Sequence, residues 1–368
     1  MTFTRRDRFT AALQMALKPS RRMADEFECV ASVLLAIAIA HLIGAQMVAW
    51  AAFTAFVLMK GPITETLLRA VLRMIGTFLG ATLAIWFVRL SSGALWQTML
   101  ATAVIGGIGL FGMLTARRAY AWLLFGLTFV MIVLDRLQDP SIDVEALALT
   151  RVLEVGAGTL ACLIVSVIAT LTARRWWPVS GSAPAPPVGW HPDAARHAVL
   201  AALAVGLVPV VHYYFNVSEL AQAGVTIIAV MIVPVAGLGS SGLAPVSLRL
   251  WHRTLGCLCG GIAAAAVLLL SGGSVPVLIA GTCAGILIGR HIENGGPRNA
   301  YVGLQFTLAV LIVLVPDDYS NVSIGPGLER LVSIFVGMAI LLPILIGGHF
   351  IQAARAPECP GGEAPGSE

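Results

Sequence analysis

Two pairs of arginines with the same spacing are the residues of this chain best suited to chemistry. Arg69 precedes Arg73 by four positions, and Arg249 precedes Arg253 by four positions. A spacing of four places both guanidinium groups on one face of a helix. Because a guanidinium binds a carboxylate through two parallel hydrogen bonds, the pairs predict a site for an organic anion. A second interpretation, in which the arginines only anchor helix ends among lipid headgroups, stays open.

An arginine also stands just ahead of a tyrosine at two places. Arg118 precedes Tyr120, and Arg298 precedes Tyr301. An aromatic ring beside a guanidinium is suited to an aromatic acid, so these four residues join the predicted substrate-binding set. Tyrosines are also common where helices leave a membrane, and that simpler interpretation stays open as well.

One carboxylate is predicted to lie inside or beside an apolar segment. Glu154 follows Arg151 by three positions, which allows an ion pair on one helix face. A charge near lipid is costly unless it is paired or has a function. Two roles therefore stay open for Glu154 and Arg151, a structural ion pair and a proton-coupling site. Ser333 occupies the matching position in the second half of the chain, so the acid is not repeated.

Glycines four residues apart follow each arginine pair. Gly76 and Gly80 follow Arg73, and Gly256 and Gly260 follow Arg253. Small residues at this spacing let two helices approach closely in lipid, so we predict that these glycines pack core helices. The alternative is a substrate path lined by bare backbone.

The composition indicates where these residues act. Of the 368 residues, 58% are hydrophobic and 11% are charged, whereas a soluble domain carries about 25% charged residues. This balance excludes a soluble enzyme, a disordered chain and a nucleic-acid-binding protein with a large basic face, and it leaves an integral membrane protein. The sequence has neither a phosphate-binding loop nor a zinc-protease or serine-hydrolase motif. We therefore predict no enzymatic activity, no cofactor and no metal site.

The predicted fold class is all-α, with about twelve transmembrane helices as two parallel six-helix repeats. A transmembrane helix needs about 20 apolar residues, and six apolar segments lie on each side of a Pro-rich stretch. The second segment of each repeat is predicted at 47–60 and at 221–238. The predicted regions are a cytoplasmic tail with an interfacial amphipathic helix (1–28), the first repeat (29–175), a Pro-rich cytoplasmic linker (176–196), the second repeat (197–352) and a disordered tail (353–368).

The repeat is visible as residues matched at a nearly constant offset. The arginine and glycine set that begins at Arg69 recurs 180 positions later, beginning at Arg249. An even number of spans per repeat inserts both repeats in the same direction, so the repeats are parallel. If both termini are cytoplasmic, 19 of the 23 lysines and arginines lie on the cytoplasmic side, as the positive-inside rule requires.

Together these motifs resemble the fusaric-acid-resistance and aromatic-acid-exporter superfamily of bacterial inner-membrane proteins. The shared pattern is Arg-x-x-x-Arg-x-x-Gly-x-x-x-Gly, from Arg69 to Gly80 and from Arg249 to Gly260, and the resemblance covers about residues 29–350. It implies efflux of aromatic or other weak organic acids, driven by the proton gradient, often with a periplasmic membrane-fusion protein as partner. Larger members carry a sizeable cytosolic domain, where this chain has a short linker.

Three functions stay open at this point. The leading hypothesis is a secondary efflux permease that sits in the lipid bilayer and takes a small organic anion between its two repeats. A non-transporting scaffold or assembly protein of an envelope complex is the alternative, and it predicts that loops around Asp139 and Asp317 matter more than the arginines. A membrane-embedded enzyme is the third, and it lacks a nucleophile–base motif. The sequence does not determine the oligomeric state.

Overall fold

A computed structural model describes residues 5–59, 61–176, 189–238, 242–319 and 324–355, and these residues are helical apart from their connections. The side chains of residues 5–21, 326, 330 and 353–355 are not among those described. The helices, with a 3-10 turn at Val235–Gly237 between α9 and α10, are α1 Arg5–Leu42, α2 Val48–Leu58, α3 Ile63–Leu90, α4 Leu95–Thr115, α5 Ala119–Gln138, α6 Val144–Leu171, α7 Ala173–Trp176, α8 Pro192–Phe215, α9 Leu220–Val230, α10 Leu243–Ser271, α11 Val275–Asn294, α12 Ala300–Leu314 and α13 Gly325–Arg355.

Eight of the described helices are long and apolar enough to cross a membrane: α3, α4, α5, α6, α8, α10, α11 and α13. Three further apolar helices are shorter, with 11 residues in α2, 11 in α9 and 15 in α12. An 11-residue helix is about 16 Å long, whereas the hydrocarbon core of a bilayer is about 30 Å thick. Neither α2 nor α9 is therefore long enough to cross the bilayer by itself, and the segments predicted at 47–60 and 221–238 are helical only over part of their length.

Prolines explain why α2 and α9 are short. Pro62 follows α2 and stands directly before α3, and Pro234 follows α9. A proline removes a backbone N–H and disfavours helical backbone in the residue before it, so neither helix continues. Gly61 supports the break after α2, because its φ of +73° lies in the left-handed region that favours glycine.

The outer surfaces of the long helices are apolar. Phe78 is 59% exposed, Trp86 64% and Leu269 81%. An apolar surface of this extent is not found on soluble monomers, and it suits a helix bundle surrounded by lipid tails. The structure and the composition therefore agree on a multi-pass membrane protein.

The four predicted packing glycines lie where helices touch through their backbones. Gly76 and Gly80 on α3 face α5, and Gly256 and Gly260 on α10 face α12. A Cβ atom at any of the four would lie within 3.0 Å of a backbone oxygen on the facing helix. Each pair thus lets two parallel helices approach more closely than any side chain would allow.

The two short helices lie in the interior and connect the halves of the chain, α1–α6 and α8–α13. Helix α2 packs against α1 and α6 and also contacts α12, while α9 packs against α8 and α13 and also contacts α5. Helix α1 packs against α11 of the second half, and α8 packs against α4 of the first half. Each half therefore contributes to the interior of the other.

The two ends of the bundle differ in charge. One end, named here the basic end, carries these arginines, some of them paired with Asp25, Glu28 or Glu293: Arg69, Arg117, Arg118, Arg174, Arg249, Arg290 and Arg298. The residues of the opposite end, named here the acidic end, are Asp135, Asp139, Asp143, Glu145, Asp317 and Asp318.

The predicted terminal and linker regions are described only in part. Helix α1 runs without interruption from the predicted tail into the first apolar segment, so one helix of 38 residues occupies both. The amphipathic stripe predicted within 1–28 falls mainly on side chains outside the described residues. Most of the predicted linker, 177–188, and the tail beyond residue 355 also lie outside them.

Candidate functional site: a cavity between the two halves

A cavity of about 400 Å³ lies between the two halves of the chain. It is lined by helices α2, α3, α5 and α6 of the first half and by α9, α10, α12 and α13 of the second. Aliphatic side chains form most of its wall, together with the aromatic rings of Trp50, Phe53, Tyr120 and Tyr301. A mostly apolar cavity of this size with a few polar groups suits a small organic molecule.

Arg73 of α3 is held in the wall of this cavity by two hydroxyl groups. It is 8% exposed. Its NH1 donates to the hydroxyl of Tyr120 at 2.7 Å, and its NH2 donates to Oγ1 of Thr54 at 2.9 Å. Helix α3 thus supplies the charge, while α5 and the short helix α2 fix its orientation.

Arg253 of α10 has a similar set of partners from the second half. It is 4% exposed. Its NH2 donates to Oγ1 of Thr226 at 2.9 Å, and its NH1 donates to Oε1 of Gln305 at 2.8 Å and to the Tyr301 hydroxyl at 3.5 Å. Arg73 and Arg253 are therefore bound by a threonine of a short helix and a tyrosine of a parallel neighbour.

The other members of the predicted arginine and tyrosine set separate into two groups. Arg249 lines the cavity, and its guanidinium carbon lies 4.1 Å from the centre of the Tyr301 ring, a cation–π contact. Arg69 is half-buried and does not line the cavity. Arg118 and Arg298 are exposed at the basic end, just before α5 and α12 respectively.

The cavity carries an excess of positive charge. Arg73, Arg151, Arg249 and Arg253 line it, and among the described lining residues Glu154 is the single carboxylate. The Nε atom of each of these four arginines is buried without a hydrogen-bond partner among the described residues. Buried donors without acceptors are costly, and buried charges without counter-charges more so. A bound anion would supply both the missing acceptors and the missing charge.

Glu154 and Arg151 lie at the side of the cavity nearest the acidic end. Glu154 is fully buried and accepts from the backbone N–H of Met47 at 2.8 Å. NH1 of Arg151 donates to Glu154 at 3.3 Å, and NH2 donates to Asp135 at 3.1 Å. The guanidinium carbon of Arg151 lies 5.1 Å from the centre of the Trp50 ring. Glu154 therefore connects the N-terminus of α2 to an ion-pair network.

A second cavity of about 460 Å³ lies beyond this network, at the acidic end. Trp50, Arg151 and Gln222 line both cavities, so these three side chains form part of the partition between them. Asp139 lines only the second cavity, and hydrogen bonds donated by Ser141 hold the pKa of Asp139 below its usual value.

Three residues that hold the arginines were not identified by the sequence analysis: Thr54, Thr226 and Gln305. The two threonines match at an offset of 172, because the connection between α9 and α10 is longer than that between α2 and α3. An alignment at 180 therefore does not pair them. Gln305 has Leu124 at the matching position, so the repeat gives no signal for it. Within the described residues, no group of three or more His, Cys, Asp and Glu residues could hold a metal ion.

Comparison with known proteins gives one match. A family model described as fusaric acid resistance protein-like matches residues 35–165 and 229–344, which together are more than half of the chain. The matched ranges contain the helices that carry Arg73 and Arg253. No curated protein and no solved structure matches the chain.

Proposed function

Because the chain belongs to the fusaric acid resistance protein-like family, we propose that it is an inner-membrane permease that exports aromatic or other weak organic acids. The family and the apolar helices together make the chain a multi-pass membrane protein of a transport-related family. The observation that carries this proposal is the central cavity, where four lining arginines have buried Nε donors without partners among the described residues, beside a single lining carboxylate.

The binding step uses the positive charge of the cavity. Arg73 and Arg253 face a mostly apolar space from opposite halves, and the Nε of each has no acceptor among the described residues, so a carboxylate would add one. The rings of Tyr120 and Tyr301 flank the arginines, so an aromatic acid would place its ring among apolar and aromatic side chains. Neutralising two buried guanidinium groups favours an anion over its neutral acid.

Glu154 is the proposed site of proton coupling, with Arg151 as its partner. It is a carboxylate that lines the central cavity beside Arg151, which lines both cavities, and the second half has Ser333 in its place. An anion entering the central cavity competes for Arg151, which weakens the ion pair and favours protonation of Glu154. Loss of the proton to the other side would reset the pair and drive export by the proton gradient.

The proposed arrangement is about twelve membrane passes in two parallel repeats. Matched contacts support it: α2 packs on α6 as α9 packs on α13, and α3 packs on α5 as α10 packs on α12. In this arrangement the residues after α2 and α9 complete passes that the short helices begin, as broken helices do in other transporters. We place the basic end and both termini in the cytoplasm by the positive-inside rule.

The proposed surroundings are a bacterial inner membrane, the organic anion and a periplasmic membrane-fusion protein as partner. No cofactor and no nucleic acid enters the proposal. A fusion protein would dock at the acidic end, where the loops carry Asp139 and Asp317.

Export assays test the proposal. Cells with and without the protein are loaded with radiolabelled benzoate and other aromatic carboxylates, with and without a protonophore. We expect lower accumulation when the protein is present, and loss of this difference with the protonophore. Equal accumulation of every acid, with the protein in the membrane and the neighbouring genes co-expressed, would favour the scaffold alternative.

A further inference from the structure

The wall of the central cavity differs between the two halves of the chain. On the first-half side, α3 and α6 contribute Thr77 and Glu154, which are 1% and 0% exposed. On the second-half side, α10 and α13 contribute Ile262 and Leu328, which are 69% and 56% exposed. Both residues line the cavity and are also largely exposed, which places the outer edge of the cavity at the protein surface between α10 and α13.

The packing of the helices explains the opening. Helices α3 and α6 contact each other along much of their length, and Arg89 and Glu145 form an ion pair that joins them at the acidic end. The matching contact between α10 and α13 is much less extensive. Beside the opening, a Cβ atom added at Gly261 would meet only the tip of the Leu331 side chain, at 3.9 Å.

The opening faces the part of the surface that lipid tails cover. Leu258 and Leu331 line it, and Leu269 further along α10 is 81% exposed. Its rim is apolar, whereas the arginines lie at the inner side of the cavity. A molecule that reaches from the arginines through this opening therefore needs a charged head and an apolar body.

We infer that the cavity binds amphiphilic organic anions, whose carboxylate contacts Arg73 and Arg253 while an alkyl chain passes between α10 and α13 into the bilayer. This inference rests on the proposed export function and adds a substrate subclass and a route of entry from the membrane. A closed cavity would reject a chain longer than its own length. An opening to lipid accepts such a chain, because its outer carbons stay in hydrocarbon.

Photolabelling tests where the chain lies. The probe is a 4-alkylbenzoate that carries a diazirine in its chain, added to the protein in phosphatidylcholine vesicles. We expect covalent labelling of α10 and α13 around Ile262 and Leu328, competition by unlabelled 4-octylbenzoate, and about a 10-fold loss in the R73A/R253A variant, equivalent to about 1.4 kcal/mol. Labelling of α3 and α6, labelling without competition, or labelling across two copies of the chain would overturn the inference.

A second vesicle composition separates the two sources of an amphiphilic anion. Phosphatidylglycerol has an anionic headgroup on apolar chains, so it is itself an amphiphilic anion and would compete with the probe if lipids bind in the cavity. We expect labelling in vesicles with phosphatidylglycerol to stay within about twofold of that in phosphatidylcholine, a difference of about 0.4 kcal/mol. Loss of labelling there would mean that a membrane lipid is the occupant, and the inference would fail.

An export assay with two acids separates this inference from the function on which it rests. Ile262→Trp narrows the opening, and Thr82→Trp is the matched control at the equivalent exposed position of α3. We expect I262W to lower export of 4-octylbenzoate about 10-fold more than export of benzoate, and T82W to leave the ratio of the two rates unchanged. If the wild type exports benzoate but not 4-octylbenzoate, only this inference fails. If it exports neither, the proposed function fails with it.

Discussion

The two short interior helices have the same position in each half but different partners at their ends. At the start of α2, the N–H groups of Met47 and Val48 donate to the carboxylates of Glu154 and Asp317, each at 2.8 Å. At its end, the carbonyl of Met59 accepts from Arg290 at 2.5 Å. The carboxylates at the N-terminus of α2 and the guanidinium at its C-terminus thus both interact favourably with the helix dipole.

Helix α9 has polar but uncharged partners at the corresponding places. The N–H of Leu220 donates to Oε1 of Gln138 at 2.9 Å, and Ser333 donates to the carbonyl of Glu219 at 2.7 Å. At the other end, Nε2 of His197 lies 2.9 Å from the carbonyl oxygen of Met231. That oxygen accepts only, so this nitrogen carries the hydrogen.

The two short helices therefore occupy matching positions in the bundle but differ in the charge of the groups that bind their ends. The short helix of the first half has ionisable contacts, from Glu154 of its own half and from Asp317 and Arg290 of the second half. The short helix of the second half has neutral partners at the corresponding ends, and α10 and α13 of that half form the open wall of the cavity. Three sets of variants test this difference between the two short helices.

The largest expected effect is on stability, through Arg290. Arg290 is 3% exposed and donates to Asp25 at 2.7 Å, to Glu293 at 2.9 Å and to the carbonyl of Met59. Arg290→Met leaves two partly buried carboxylates without their cation, which we expect to lower the free energy of unfolding by about 3 kcal/mol. His197→Ala removes one neutral hydrogen bond and should cost about 1–2 kcal/mol. Thermal unfolding in detergent measures both.

A double variant serves as control for the charge argument. Burial raises the pKa of Asp25, but the charge of Arg290 and the hydrogen bonds from Arg290 and Asn294 together bring the pKa below its usual value. A lowered pKa stabilises the fold above the unfolded carboxyl pKa, and the stabilisation is lost as pH falls through the folded value. Asp25→Asn combined with R290M should recover part of the loss, because one unpaired charge is removed. Equal losses for the single and double variants would contradict this account.

The second effect is on coupling, through Glu154. Glu154→Gln keeps an acceptor for the N–H of Met47 but cannot exchange a proton. We expect net export driven by the proton gradient to fall about 100-fold, or about 2.7 kcal/mol, while exchange of labelled for unlabelled benzoate continues. Ser333→Ala in the other half is the matched control and should retain net export. Gradient-driven export in E154Q at the wild-type rate would remove Glu154 from the coupling step.

The smallest expected effect concerns a feature that the halves share. Gly260→Ala would place a methyl group within 3.0 Å of the backbone oxygen of Phe306 and should cost about 1–3 kcal/mol. Gly80→Ala should cost a similar amount against α5. Gly261→Ala is the control, because its nearest neighbour is a side-chain tip at 3.9 Å. Equal melting temperatures for G260A and G261A would show that backbone contact at α12 does not matter.

The repeat led the sequence analysis to Arg73, Arg253, Tyr120 and Tyr301, which line the cavity, but also to Arg69, Arg118 and Arg298, which do not. Arg73 and Arg253 stand out because charges are rare here and recur at one offset, and Tyr120 and Tyr301 follow from the same comparison. The glycine pairs signal close helices by spacing alone. The membrane class follows from composition, since few charges are available to cover a soluble surface.

Other features depend on contacts that no local pattern encodes. Asp25 and Arg290 are far apart in the chain, so their ion pair emerges only when α1 packs on α11. Thr54 and Thr226 are concealed by the longer connection after α9. The lengths of α2 and α9 were open to prediction from Pro62 and Pro234, whose effect the apolar runs around them conceal. The opening between α10 and α13 is a property of helix packing.

The most direct measurement of the central claim is benzoate export by the Arg73→Ala/Arg253→Ala variant. A matched variant, Arg89→Ala/Arg117→Ala, removes two exposed arginines that do not line the cavity. We expect export to fall at least about 100-fold in the first variant, because a buried guanidinium is lost from each half, and to be unchanged in the second. Wild-type export by R73A/R253A, with the protein in the membrane, would contradict the assignment of the cavity as the anion site.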